Sequence, residues 1–243
     1  MIQVTQLRKV FGDFVAVNGI NFDIKAGEIF GLLGPNGAGK TTTLRLLTTV
    51  LKPTDGDITV NGHSVTNDPE KVRHHLGVLA EATGLYDRLT VKENVRYFAR
   101  LRDMTDKQIT ARMEQIFPPL GIDEFENKRA GDLSKGMKQK TAIAIAIIHD
   151  PPVILFDEPT SGLDVMSARQ VVEFIEGYKG TNKTVILSTH LMHEAEKLCD
   201  RIAIVNKGVI SAIGTYEELQ NQSGEKGLED IFLKLVQEAT HES

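Results

Sequence analysis

The chain carries one cysteine, Cys199, in 243 residues. That excludes an intramolecular disulfide and leaves no thiolate cluster for zinc. Its apolar setting, AEKLCD, predicts a small buried residue. Long hydrophobic runs are also missing: the longest, Ala142–Ile148, falls far short of the ~20 residues that span a bilayer. The opening stretch, MIQVTQLRKVF, lacks the charged-then-apolar pattern of an export signal. These absences predict a cytoplasmic protein of a reducing compartment, which meets a membrane only through a partner. A surplus of positive charge is absent too. With 28 Lys and Arg against 33 Asp and Glu, the net charge is −5, which makes the chain a poor candidate for wholesale binding of nucleic acid, since that runs on phosphate neutralisation. The one basic cluster, Lys135, Lys138 and Lys140, reads as the solvated start of a helix.

What is present suits a soluble globular domain with a real core: 41% hydrophobic and 25% charged residues. IQVTQL and FVAVNGINFDIKAG alternate on either side of a turn at Phe11-Gly12-Asp13, which predicts a β-meander. GEIFGLLG is an apolar run suited to a buried parallel strand, and a helix is expected from Lys40 to about Val50. Asp68 and Pro69 open a short helix, after a strand in GDITVNG and before one in LGVLA. Residues 82–148 then look all-helical. Thr90 with Glu93 and Thr105 with Gln108 form capping boxes, and Val91, Val95, Phe98 and Leu101 share one helical face, as do Ile109, Met113 and Ile116. Strands return at 153–156, 184–188, 201–205 and 209–214, with helices between the first three, so a parallel sheet covered on both sides is expected. A helix capped by Thr215, the loop NQSGEKG and an amphipathic helix with Leu228, Ile231, Phe232, Leu235 and Val236 close the chain.

Three segments carry the chemistry. GPNGAGKT matches G-x-x-x-x-G-K-[ST], with a strand before it and a helix after it, as the motif requires. The loop Gly34-Pro35-Asn36-Gly37-Ala38-Gly39 folds its N–H groups around phosphates, and the helix starting at Lys40, Thr41 and Thr42 adds its dipole. Lys40 reaches the β/γ-phosphates and the Thr41 hydroxyl ligates Mg²⁺, so this site binds a nucleoside triphosphate. VILFDEPTSGLD ends a buried strand in Asp157-Glu158, a carboxylate pair that needs a cation to balance it. Asp157 fits the Mg²⁺ side, and Glu158 fits as general base on the attacking water. A second phosphate grip stands far downstream: in GDLSKGMKQK, Ser134 and Gly136 open a helix whose free N–H groups attract an anion.

LSKGMKQK, FDEPTSGLD and STH in one order make the chain resemble the ATP-binding subunits of ABC transporters, over essentially its whole length. The resemblance implies an ATPase with a P-loop α/β core, an antiparallel β-subdomain and an inserted helical subdomain. The core would take 1–81 and 149–222, the helical signature subdomain 82–148 and a C-terminal tail 223–243. It also explains the two grips. Such cassettes pair head to tail, as homodimers or heterodimers, so that Ser134 and Gly136 of one chain close over ATP held by the phosphate loop of the other. By the same resemblance Phe11 stacks on adenine, His190 contacts the γ-phosphate, Asp164 belongs to the loop that crosses the dimer, and Glu81 stands where the family carries a metal-side glutamine. Lys135 and Met137 depart from the family signature, and Val165 replaces a common proline. An integral membrane permease is the implied partner, reached through residues near 81–105 at the inner face of the membrane. TGLYDRLTVKENVRYFARL with LSKGMKQK is similar to the ATPase subunit of a bacterial sodium-extruding ABC exporter.

Three other readings fit the sequence less well. A GTPase would show N-K-x-D, whereas Asn206-Lys207-Gly208 is followed by Val209. A zinc hydrolase could draw on HLMHE, with His190, His193 and Glu194, but no third ligand matches. A soluble cassette ATPase serving translation, DNA repair or iron–sulfur assembly is the third; those of translation usually carry two cassettes per chain and those of repair a long coiled coil, and neither pattern occurs in this sequence.

Overall fold

The computed structural model describes residues 1–80 and 84–241. Glu81, expected on the metal side, lies outside the described residues. Two sheets form the frame. The first is antiparallel, in the order β2 (Phe14–Ile24), β1 (Ile2–Phe11), β4 (Asp55–Val60), β5 (His63–Ser64). The second has six strands, in the order β10 (Val209–Gly214), β9 (Arg201–Asn206), β3 (Ile29–Leu33), β8 (Thr184–Thr189), β7 (Val153–Asp157), β6 (Leu76–Leu79). It is parallel from β9 to β6, and only the β10–β9 hairpin runs antiparallel.

Every residue of β3, β7 and β8 is buried, as expected of parallel strands covered on both faces. The pleat sorts their side chains into two cores. Ile29, Ile154, Phe156, Val185 and Leu187 face the helices α3 (Val91–Arg100), α4 (Asp106–Leu120) and α5 (Lys135–Ile147). Phe30, Leu32, Leu155 and Ile186 face the antiparallel sheet, α1 (Lys40–Leu47) and α2 (Pro69–His74). A third cluster seats α9 (Leu228–His241) against β9 and α7 (Met192–Leu198) through Leu228, Ile231 and Leu235, so the last helix packs on its own chain. Between these elements lie α6 (Val165–Glu176) and α8 (Tyr216–Ser223).

Both capping boxes are present, at Thr90–Glu93 and Thr105–Gln108. Three local expectations are corrected. Helix α1 stops at Leu47 rather than near Val50, because Thr49 turns to φ 62°, a left-handed conformation that ends a helix. Leu101 is 64% exposed; the buried face of α3 is made by Val91, Asn94, Val95 and Ala99. Lys140 is buried rather than solvated, and its ammonium donates to Gln170 of α6.

Candidate functional site

Strand register builds the site. Leu33 pairs with Thr189 and Asp157 with Ser188, so β3, β8 and β7 end at one level. Each strand then delivers its next residue to the same edge, where ligands bind in open parallel sheets. Gly34 N donates to Thr189 O across 3.4 Å and Glu158 N donates to Ser188 O across 2.9 Å.

The loop from Gly34 to Gly39 is shaped by close approaches that glycine alone permits. A Cβ on Gly34 would lie 2.2 Å from Val205 O, and one on Gly39, at φ +108°, 2.7 Å from Ala16 O. At Gly37, φ is +81° with no atom within 4 Å of an added Cβ, so that glycine serves the turn itself. The loop walls a cavity of about 230 Å³ lined by Phe14, Ala16, Pro35–Thr42 and Glu158. Lys40 opens α1, and its ammonium is almost wholly buried. It donates to Gly34 O at 2.7 Å and to Pro35 O at 3.3 Å, and faces Glu158 Oε1 at 3.4 Å.

Glu158 takes φ 49°, a conformation rare outside glycine. His190 Nδ1 donates to its Oε2 across 2.7 Å. Its other oxygen is buried, and among the described residues it makes no hydrogen bond and faces the Lys40 charge. Thr41 Oγ1 lies 3.4 Å from Asp157 Oδ1, too long for a strong hydrogen bond; a hydroxyl and a carboxylate oxygen thus face one point. Among the described residues no group of three His, Cys, Asp or Glu side chains could hold a metal by itself. The donor set of one hydroxyl and one carboxylate is of the kind Mg²⁺ uses, since the ion keeps waters and takes one or two protein ligands beside substrate phosphates.

Of the sequence-predicted residues, the structure brings together Gly34 to Thr42, Asp157, Glu158 and His190. It sets the second grip apart. Ser134 caps α5, its hydroxyl accepting from Met137 N at 3.3 Å. Gly136 is required by the approach of α6, since an added Cβ would lie 2.4 Å from Ser167 Oγ. Asp164 caps α6, and hydrogen bonds from the Ser167 N–H and hydroxyl, then from the Met166 N–H, hold its carboxyl below the usual range. None of Ser134, Gly136 and Asp164 lines the cavity around Lys40.

Phe11 does not line it either. It is 45% exposed under the Lys9 ammonium, 5.0 Å from the ring centre, while its cross-strand partner Phe14 reaches the cavity. Sequence reasoning missed Phe14, one residue of an ordinary strand start. It also missed Gln139, whose Nε2 donates to Pro159 O at 2.8 Å and ties α5 to the turn after Glu158. Glu194, a candidate zinc ligand in HLMHE, is buried and accepts hydroxyl hydrogen bonds instead.

Comparison with known proteins agrees with this geometry. The ABC transporter family pattern matches residues 17–161. The chain is 43% identical to the ABC transporter ATP-binding protein NatA of Bacillus subtilis, over 97% of this chain and 98% of the relative. It is 36% identical to the probable multidrug ABC transporter ATP-binding protein YbhF of Escherichia coli, over 97% of this chain and 42% of that longer protein. The ATP-binding cassette MJ0796, solved as a dimer in a post-hydrolysis state with ADP and Pi, superposes with a TM-score of 0.79 at 26% identity, covering 88% of this chain and 98% of that one. With a phosphate loop, an acidic strand end and a family pattern all falling on the same sheet edge, the chain belongs to the ABC transporter family as an ATP-binding, ATP-hydrolysing subunit.

Proposed function

We propose that the chain works in pairs, with a second copy or a related subunit, each phosphate loop being closed by the other chain's Ser134 and Gly136. What supports this is a separation: the helix start at Ser134 and Gly136, which the sequence suggests as a second anion grip, does not line the cavity around Lys40. The dimer of MJ0796 supports it. Thr41 and Asp157 would hold Mg²⁺, with Glu81 as a third member, and the ion would neutralise charge on the transferred phosphate. Lys40 binds the β/γ-phosphates, Glu158 takes the proton of the attacking water, and His190 holds Glu158 from the open side. Phe11 is the adenine-stacking residue by family resemblance, with Phe14 beside it.

The motion of closing and reopening would pass to a membrane permease through the lobe of residues 82–148. In support, Tyr86, Tyr97 and Leu101 are all well exposed there. The rings of Tyr86 and Tyr97 sit 5.0 Å apart, and those of Tyr97 and Phe98 5.4 Å. A cluster of rings set at the surface suits an interaction surface. Among the described residues no helix is long and apolar enough to cross a membrane, so the chain would sit at the inner membrane face through that partner. Sodium ion is the proposed exported solute, on the resemblance of TGLYDRLTVKENVRYFARL to sodium-extruding exporters.

Crosslinking tests the pairing. Asn36→Cys and Lys135→Cys, made on separate chains and mixed, should link only when ATP and Mg²⁺ are present. Cys199 is half-buried rather than buried as expected, and burial pushes its thiol up; a control mixture lacking both new cysteines should not link. A mixture that never links would remove the cross-chain assignment. For the solute, flux of labelled sodium in vesicles carrying the chain with its co-purifying permease should require ATP.

A further inference from the structure

Apart from Asp157 on the proposed metal side, Glu194 is the buried carboxylate that has no counter-ion among the described residues. Glu194 sits on α7 and is 2% exposed, and it forms no ion pair among the described residues. Two hydroxyls, both buried, satisfy it. Thr160 Oγ1 donates to Oε1 across 2.5 Å and Thr189 Oγ1 donates to Oε2 across 3.0 Å. The Thr189 hydroxyl also accepts from Leu191 N at 3.0 Å, so its donor and an acceptor position are both in use.

The two threonines flank the reactive pair. Thr160 lies two residues after Glu158, and Thr189 directly precedes His190. A closed ring results: Glu158 to His190 by the 2.7 Å hydrogen bond, His190 to Thr189 along the chain, Thr189 to Glu194 to Thr160 through the carboxylate, and Thr160 back to Glu158. The turn being held is strained, with Glu158 at φ 49°, and such a conformation persists only where its surroundings over-determine it. Stability alone does not account for a lone buried charge, since an apolar residue of similar volume is often as good or better.

We infer that Glu194 is a positioning residue for ATP hydrolysis: its carboxylate clamps the turn of Glu158 to the turn of His190 and so fixes the distance between them. The inference rests on the proposed role of Glu158 as base. It assigns Glu194 no contact with nucleotide.

Glu194→Gln keeps shape and volume but replaces one acceptor oxygen by a donor. One threonine then loses its acceptor, because Thr189 Oγ1 already receives the Leu191 N–H. Single-turnover ATP hydrolysis by the full chain should slow ~10-fold or more, within the range seen for misplaced catalytic groups. Binding of a fluorescent ATP analogue should stay within ~2-fold. Thr160→Val should behave alike, and Thr189→Ser, which keeps the hydroxyl, should restore near-normal turnover. The decisive arm repeats Glu194→Gln in a Glu158→Gln background, where the position of the base no longer matters and the added loss should be under ~2-fold. An equal loss in both backgrounds, or a loss of nucleotide binding that tracks the loss of rate, would mean Glu194 only supports the fold and would overturn the inference. Full turnover by Glu158→Gln alone would instead remove Glu158 as base, and the clamp's purpose with it.

Discussion

His190 Nδ1 and Glu158 Oε2 stand 2.7 Å apart across the ends of two adjacent parallel strands. The other oxygen of the same carboxylate faces the Lys40 ammonium at 3.4 Å. One side chain therefore links the phosphate loop of β3 to the histidine after β8, and each of the three groups reports the state of the other two. A carboxylate held this way is oriented before substrate arrives, which is where electrostatic and proton-transfer catalysis gain most.

Glu158→Gln keeps the shape and the His190 contact but removes the base. ATP binding should survive, while turnover should fall by ~10²–10⁴-fold, the usual worth of a general base. With hydrolysis blocked, the ATP-bound pair should accumulate. Gel filtration with ATP and Mg²⁺ should show a dimer that the wild-type chain forms only transiently. Full turnover would remove Glu158 from this role.

Ser134→Arg places a long side chain at the cap of α5, away from the cavity around Lys40. Losing the cap costs ~1 kcal/mol of helix stability, too little to unfold the chain. Nucleotide binding by the monomer should be unchanged and ATP-dependent dimerisation abolished. An intact dimer on gel filtration would refute the cross-chain grip.

Gly34→Ala separates backbone crowding from glycine's freedom to turn. Its Cβ would lie 2.2 Å from Val205 O, whereas a Cβ on Gly37 meets nothing within 4 Å. Overpacking against backbone costs ~1–3 kcal/mol or more, so Gly34→Ala should lower Tm further than Gly37→Ala. The latter carries only the ~1–2 kcal/mol of a left-handed backbone at φ +81°. Equal Tm values would show that the β3–β9 edge yields where it is expected to be rigid.

His149, just past the end of α5, makes stability depend on pH. Its Nε2 contacts Leu76 O at 3.1 Å and its Nδ1 is buried without a partner. Burial first, and then the charge of Arg102, push its pKa down to about 4 from 6.5. In the unfolded chain the ring takes its proton near the ordinary value, so between those two pH values the unfolded state binds a proton that the folded state refuses. Stability should fall as pH drops through that window, and the slope from this group should end below it. His149→Gln retains a donor for Leu76 O and does not titrate. Its urea midpoint should change less between pH 7 and pH 4.5 than that of the wild type, and parallel curves would rule out His149 as the source.

Much of this was legible in the sequence because the signals were local. The phosphate loop, the acidic end of β7, the capping boxes and the alternating strands each lie within a dozen residues, and short-range chemistry determines them. What stayed hidden depends on register between distant segments. Nothing near Glu194 announces that Thr160 and Thr189 will meet it, and HLMHE invited a metal reading instead. Lys140 looked solvated because its neighbours Lys135 and Lys138 are basic, yet the approach of α6 buries it beside Gln170. Phe11 and Phe14 could not be told apart until β1 and β2 were paired across their turn.

Tyr86 offers the cleanest test of the permease surface, because its backbone is held independently of its ring. Tyr86 N donates to Asn94 Oδ1 at 2.8 Å, and Asn94 Nδ2 returns a bond to Tyr86 O at 3.2 Å. Asn94 is itself buried at the start of α3, so the loop should keep its course when the ring is removed. The ring is 50% exposed, and substitutions at such positions usually change stability by no more than ~0.5 kcal/mol. Tyr86→Ala should therefore leave Tm and the ATPase rate of the isolated chain almost unchanged. Exposed aromatic anchors at interfaces commonly carry ~2 kcal/mol or more of binding, so co-purification of the permease and ATP-driven flux in vesicles should both drop ~10-fold or more. Leu85→Ala is the weaker probe, since Leu85 packs on the core beneath and its loss would also lower stability. Undiminished flux in Tyr86→Ala would move the coupling surface away from this loop.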